Sequence, residues 1–261
     1  MNGLAGADSV RVAAHIAIPP IRRAKLSEQA ALRLESLIQD GTFPPGTVLP
    51  PERELMRIFG VGRTSIREAL FALNRMGLIR LRNGERPRVT TPTPETLVSE
   101  LAGAAHHFLS QPNSLEHFQD ARALFEVGVA RRAAQRCTEQ DAARLRAALE
   151  ANCAARGDLG RFERADVAFH YEVAKIARNP IFTAVHDGLV GWLTGQRTVS
   201  LQAPGAEESA IEGHRLVCEG VVTRDPEAAG RAMEEHLRNV AAFVKAADEL
   251  GGQHAPVRAA R

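Results

Sequence analysis

The stretch "TTPTPET", residues 90–96, divides the chain into two parts that obey different local rules. Proline is excluded from helix interiors and from central strands, so its two prolines break whatever precedes them. Before it, short periodic segments alternate with turns dense in Gly and Pro. After it, apolar residues recur at three- and four-residue spacing almost to the end, the mark of amphipathic helices. Charge divides at the same place. Residues 1–91 carry 14 Lys/Arg and 8 Asp/Glu, a balance of +6; residues 92–261 carry 19 and 23, a balance of −4. A basic part joined to a mildly acidic helical part suits a nucleic-acid module fused to a domain with another task.

Residues 1–25 read as a disordered arm ending in the basic run "PIRRAK". The periodicity then predicts a helix over 27–39 with Ser27 as N-cap, and a second over 52–59 with Pro51 at its first turn. Gly60 and Gly62 bracket a tight turn into a third, "GVGRTSIREALFALNRMG". Ile66, Ala69, Leu70, Leu73 and Met76 form its apolar stripe. Arg63, Thr64, Ser65 and Arg67 occupy its N-terminal end, where unpaired N–H groups already favour anions. A merely solvated helix end has the same composition, so this segment alone leaves both readings open. The next stretch, "GLIRLRNGERPRVTTP", predicts strands over 78–81 and 86–90 joined across Asn83-Gly84, with φ > 0 expected at both central residues and Pro87 marking an exposed edge. Three helices followed by a hairpin make a winged helix-turn-helix, with Arg82, Asn83, Glu85 and Arg86 at the wing tip. That arrangement favours double-stranded DNA as the partner.

Beyond the linker, helices are expected near 95–109, 115–135, 139–155, 159–177, 181–200, 207–223 and 226–249. Seven helices with short loops argue an antiparallel bundle. The expected fold is therefore mainly α: a disordered arm at 1–25, a winged helix-turn-helix at 26–91, a linker at 92–97, an all-α antiparallel helical bundle at 98–250 and a disordered tail at 251–261. Three cysteines without a CxxC pair, no apolar run near the ~20 residues of a membrane span, and no signal-peptide pattern point to a reduced cytoplasmic protein with no membrane partner.

The bundle holds one candidate constellation. Asp166 and His170 are four apart and share a helix face. His214 and His236 each lie eleven residues from a turn centred near residue 225. If their helices pack antiparallel, both sit at one depth, roughly 16 Å from that turn at 1.5 Å per residue. One carboxylate and three imidazoles suit a divalent ion such as zinc, nickel or manganese. Core or surface histidines with no ligand role remain the alternative at this level. No histidine has Glu three residues before it, and no nucleophile elbow or P-loop occurs. A metal that holds a ligand fits better than a centre of turnover, so no enzyme is expected.

With these motifs assembled, the chain resembles the GntR family of bacterial transcription regulators, in its FadR-type branch with an FCD effector domain. The matching motifs are "FPPGTVLPPEREL", "GVGRTSIREALFALNRMGLI", "RNGERPRV", "ARALFE", "ADVAFHYEVAKIARNPIF", His214 and His236. The resemblance covers about residues 26–250. It implies that Arg53, Arg63, Thr64, Ser65 and Arg67 contact bases and phosphates, and that Gly84, with Asn83 beside it, reaches the minor groove. It implies one divalent ion per chain, zinc foremost, on Asp166, His170, His214 and His236. Arg122 matches the arginine that pairs with an effector carboxylate, and Arg197 is a second candidate for the ligand's polar end. Gly62 departs from the family, which usually has Ser or Thr there. Within the branch, "LPPERELM", "HFLSQP" and "NPIFTAVHDGLVGWL" resemble regulators of sialic acid catabolism. The expected protein is thus a homodimeric repressor sensing N-acetylneuraminate. A regulator of another sugar acid or small organic acid, a metalloenzyme fused to a DNA-binding head, and a structural DNA-binding protein without an effector are the alternatives.

Overall fold

The computed structural model describes residues 25–111 and 114–251. The expected arm and tail therefore lie outside the described residues, except for Lys25 and Gly251. Two compact units meet at Thr91 and Pro92.

In the first unit, α1 (Leu26–Gln39), α2 (Glu52–Phe59) and α3 (Arg63–Arg75) precede a short hairpin, β1 (Ile79–Arg80) and β2 (Arg88–Val89). The strands are antiparallel, Ile79 facing Val89 and Arg80 facing Arg88. Leu34, Leu49, Leu55, Ile66, Leu73, Ile79 and Val89 fill the core from every element and the loop before α2. Helix α1 starts one residue earlier than expected. Lys25 is its N-cap and donates its backbone N–H to the Glu28 carboxylate, whereas Ser27 lies inside the helix and is buried. On α3 the apolar stripe ends at Leu73, because Met76 is the C-cap and 46% exposed.

The wing differs from expectation in two respects. Only Gly84 has positive φ; Asn83 does not, and the turn closes through Glu85 N–H to the Arg82 carbonyl. Residues 81–87 form a longer loop, which removes the strand-twist constraint that would demand φ > 0 at both positions. Pro87 is buried instead of marking an open edge, since the far side of β2 pairs with residues 46–49. Leu49 N–H donates to the Pro87 carbonyl and Val89 N–H to that of Thr47. Arg86 is drawn into this seam, its guanidinium donating twice to the Leu49 carbonyl at 3.2 and 3.0 Å.

The second unit contains α4 (Pro94–Leu109), α5 (Ser114–Arg136), α6 (Glu139–Ala154), α7 (Leu159–Ile176), α8 (Pro180–Trp192), α9 (Thr194–Leu201), α10 (Ala206–Val222) and α11 (Pro226–Gly251). Among the described residues this makes eight helices where seven were expected. The single helix expected over 181–200 breaks at Leu193, whose φ and ψ are −104° and 12°. Thr194 bonds its hydroxyl back to the Val190 carbonyl, and glycines stand on both sides at 191 and 195. Back-bonding beside glycines weakens a helix enough for packing to bend it. Helix α4 begins at Pro94, inside the stretch read as linker, with proline in the first turn where it is tolerated. No helix among the described residues is long and apolar enough to cross a membrane.

Helices α10 and α11 run antiparallel about a tight turn. Arg224 takes φ 59°, and the Asp225 carboxylate accepts from the N–H groups of Glu227 and Ala228. Their crossing is set by glycine: a Cβ on Gly220 would lie 2.5 Å from the Ala229 nitrogen, which is backbone and has nowhere to go. Gly220→Ala is therefore expected to destabilise the bundle by about 1–3 kcal/mol, even though alanine is the better helix former by about 1 kcal/mol. Urea denaturation followed by circular dichroism checks this; unchanged or raised stability would show that the helices part freely.

Candidate functional site

On the first unit, α3 packs by Ile66, Ala69, Leu70 and Leu73 and turns Arg63, Thr64 and Arg67 outward. Its N-cap, Gly62, has extended backbone and makes no side-chain cap, so the first N–H groups of α3 remain available to an anion. Glu52, at the start of α2, lies 3.2 Å from Arg63 Nε and 3.8 Å from Arg67 Nε. Arg53 is exposed one residue further on, and Asn83 and Gly84 are exposed at the wing tip. Such an edge offers forked cations, hydroxyls and free N–H groups on one small domain.

The second unit buries a polar centre among six helices. His170 comes from α7, His214 from α10 and His236 from α11, and their candidate ligand atoms all lie within 4.8 Å of one another. His214 Nε2 and His236 Nε2 stand 3.2 and 3.3 Å from His170 Nε2. The equal depth of His214 and His236 follows from the antiparallel pair: the contacts Gly220–Ala229 and Gly213–His236 step away from the turn in opposite directions. A Cβ on Gly213 would come within 2.6 Å of His236 Nδ1, so glycine makes room for that ring. Phe169 stacks on His214 at 4.3 Å and 24° and fixes its plane.

Two of the three outer nitrogens stand near acceptors. His214 Nδ1 lies 2.9 Å from Asn152 Oδ1 on α6. His170 Nδ1 lies 2.5 Å from Glu126 Oε2 on α5, close rather than in regular hydrogen-bond alignment. Acceptors at Nδ1 hold the ring proton there and leave Nε2 a lone pair. Lone pairs aimed at one point repel each other, and a cation at that point reverses the sign. The donor set therefore fits a divalent ion. Burial, with neighbouring His170 adding to it, holds His214 well below the ordinary imidazole range; burial, then His214 and His170, does the same for His236. Both rings are thus neutral, the form that ligates.

Asp166 stands one contact further out than its α7 neighbour. One oxygen lies 3.5 Å from His214 Nε2 and the other 3.5 Å from Arg197 Nε on α9. The break at Leu193 sets the separate α9 that carries Arg197. Arg122 and Glu126, one turn apart on α5, form a second buried pair at 2.6 Å. Burial alone would raise the Glu126 carboxyl, but Arg122 and His170 beside it hold it well below the usual carboxylate range. Arg122, Asp166, Arg197 and His236 line a cavity of about 20 Å³, room for a single water.

Asn152 and Gly213 were not singled out from the sequence, and Glu126 entered only as part of a motif. Asn152 left one trace: a polar residue in register with buried Ala142 and Leu145 on α6. Gly213 left none, because a helical glycine reveals its purpose only when the facing side chain is known.

Comparison with known proteins gives a consistent answer. The model of the "Bacterial regulatory proteins, gntR family" matches residues 26–89, and the FCD domain model matches residues 118–239. The chain is 43% identical over 223 residues to the HTH-type transcriptional repressor NanR of Cronobacter sakazakii, covering 85% of this chain and 86% of that protein. It is 43% identical over 229 residues to NanR of Klebsiella aerogenes, covering 87% and 88%. Among solved structures, Streptococcus agalactiae GntR superposes with a TM-score of 0.55 at 25% identity, covering 82% of this chain and 98% of that one.

The buried neutral histidines make acid stability predictable. Their folded-state affinity for protons is depressed, so their contribution is present above the unfolded value of about 6.5 and is lost as pH falls below it. With chelator present, stability is expected to decline from pH 6.5 towards 5 with a slope of up to about 2.7 kcal/mol per pH unit for the two rings together. Urea midpoints across that range, compared with His214→Asn, which should flatten the slope, measure it.

Proposed function

The chain belongs to the GntR family of bacterial regulators and carries an FCD domain behind its DNA-binding head; on that premise we propose that it is a ligand-responsive transcriptional repressor, acting as a homodimer on operator DNA. Arg63, Thr64, Ser65 and Arg67 enter the major groove from the start of α3, with Arg53 on the adjoining backbone. Gly84, which has φ 78° and no side chain, brings the wing close to the minor groove with Asn83 beside it. Two heads read two half-sites related by the dimer axis.

The convergence of three histidines beside Arg122 and Arg197 carries the effector half of this reading. His170, His214 and His236, with Asp166 turned towards them, would hold one divalent ion, zinc being the metal we favour for this nitrogen-rich set over nickel or manganese. The ion, when bound, supplies Lewis-acidic positions for a carboxylate. Arg122 meets the same carboxylate with its guanidinium, and Arg197 serves the polar remainder of the ligand. N-acetylneuraminate is the acid we propose, on the likeness to NanR; another sugar acid or small organic acid would use the same residues. The relatives are repressors and not enzymes, so the metal holds the ligand without turning it over.

The cavity explains why such binding has consequences. At about 20 Å³ it admits a water and excludes any sugar acid. A sugar acid is larger than this space, so its binding requires side chains that line it, among them Val240, Phe243 and Val244 of α11, to move. A ligand that selects an expanded bundle has differential affinity for two states, which is the condition for a switch.

Two outcomes follow. Arg67→Ala should cost about 1–3 kcal/mol of affinity for an operator selected from random DNA, and should relax specificity at the base it reads. Fluorescence anisotropy at fixed salt measures this, and wild-type affinity with wild-type specificity would remove Arg67 from the interface. Isothermal titration of N-acetylneuraminate is expected to give binding to zinc-loaded protein, weaker binding to Arg122→Ala, and none after chelation. Equal affinity with and without metal would refute the metal's part; binding of another acid in its place would retain the site and change the effector.

A further inference from the structure

We propose that Glu126 is the positioning residue that joins the histidine centre to the anion-binding arginine, one buried carboxylate holding His170 by one oxygen and Arg122 by the other. This rests on the metal reading above. Oε1 lies 2.6 Å from Arg122 Nε and Oε2 lies 2.5 Å from His170 Nδ1, and all three side chains are at most 7% exposed. The arginine partner is set by the helix itself, since residues four apart on α5 are neighbours on one face. The histidine partner is set by packing, because His170 arrives from α7. Both oxygens of the carboxylate are thus engaged, each on a different function.

The other two rings lack this device. His214 Nδ1 faces a neutral amide, Asn152; neither His170 Nδ1 nor His236 Nδ1 makes an aligned hydrogen bond among the described residues, but His170 has a carboxylate oxygen 2.5 Å from its Nδ1. A carboxylate behind an imidazole raises its basicity and fixes its tautomer more strongly than an amide does. His170 is also the ring that both others face through Nε2. The ring backed by a carboxylate therefore stands at the hub of the three.

Charge leads to the same conclusion. Arg122 is paired with Glu126 and Arg197 with Asp166, so each buried guanidinium has its own carboxylate before a cation enters. Removing the charge of Glu126 leaves an uncompensated guanidinium next to a divalent ion. It also frees the Nε edge of Arg122, a residue that lines the cavity. Metal affinity and the set of the arginine fall together, through one residue that touches neither ion nor ligand.

The test uses the full chain and zinc alone, titrated against a chromophoric chelator, with thermal unfolding of the metal-free protein in parallel. Glu126→Gln, which keeps size and loses charge, is expected to weaken zinc by 10- to 100-fold. Glu126→Asp, which keeps charge but is one methylene short, is expected to fall between it and wild type, and serves if the glutamine variant does not fold. Asn152→Ala is expected to cost less than Glu126→Gln. Unchanged zinc affinity with lowered metal-free stability would show a merely structural Arg–Glu pair and overturn the proposal. Wild-type protein that binds no zinc, nickel or manganese would overturn the metal reading and this proposal together, and is distinguished by failing before any substitution is made.

Discussion

The separation of α10 and α11 is the constraint on which the polar centre depends. At Gly220 the helices touch through backbone, and at Gly213 through the imidazole of His236. A distance set by glycine at two points leaves little freedom of slide or tilt, because interiors pack at the density of organic crystals and transmit small displacements. His214 and His236 therefore meet at one depth, their ring centroids 4.6 Å apart. His170 completes the group from α7, held by Glu126 behind it and Phe169 beside it.

The centre is also a problem in buried charge, and its solution explains the identity of residues around it. Isolated ions are costly in a protein interior, so buried arginines and carboxylates occur in pairs. Here each guanidinium has its own carboxylate, and each carboxylate has a second oxygen directed at a histidine: Glu126 to His170, Asp166 to His214. The narrow cavity beside them is lined on its α11 side by Val240, Phe243 and Val244.

The DNA-binding head uses its carboxylate differently. Glu52 approaches Arg63 and Arg67 at the surface, where solvent screens such pairs and each contributes little to stability. Both contacts are to Nε, and the two arginine side chains remain exposed. Gly62 leaves the start of α3 without a side-chain cap.

What the sequence by itself determined is whatever depends on neighbours along the chain. Helical periodicity, glycine and proline breaks, and the Asn83-Gly84 turn specified a winged head and a helical bundle, and i, i+4 spacing specified that Asp166 and His170 share a face. The matched distances of His214 and His236 from one turn were legible for the same reason, since a helix is a ruler with a fixed rise. Tertiary structure alone decided what depends on residues distant in sequence. It buried Pro87 by pairing β2 with residues 46–49, broke the helix at Leu193, and set Asp166 between Arg197 and His214. It also chose Asn152 and Glu126 as the groups behind the histidines and gave Gly213 its purpose. None of these has a local signature: a polar side chain on a buried face, or a glycine within a helix, acquires its meaning from the element packed against it.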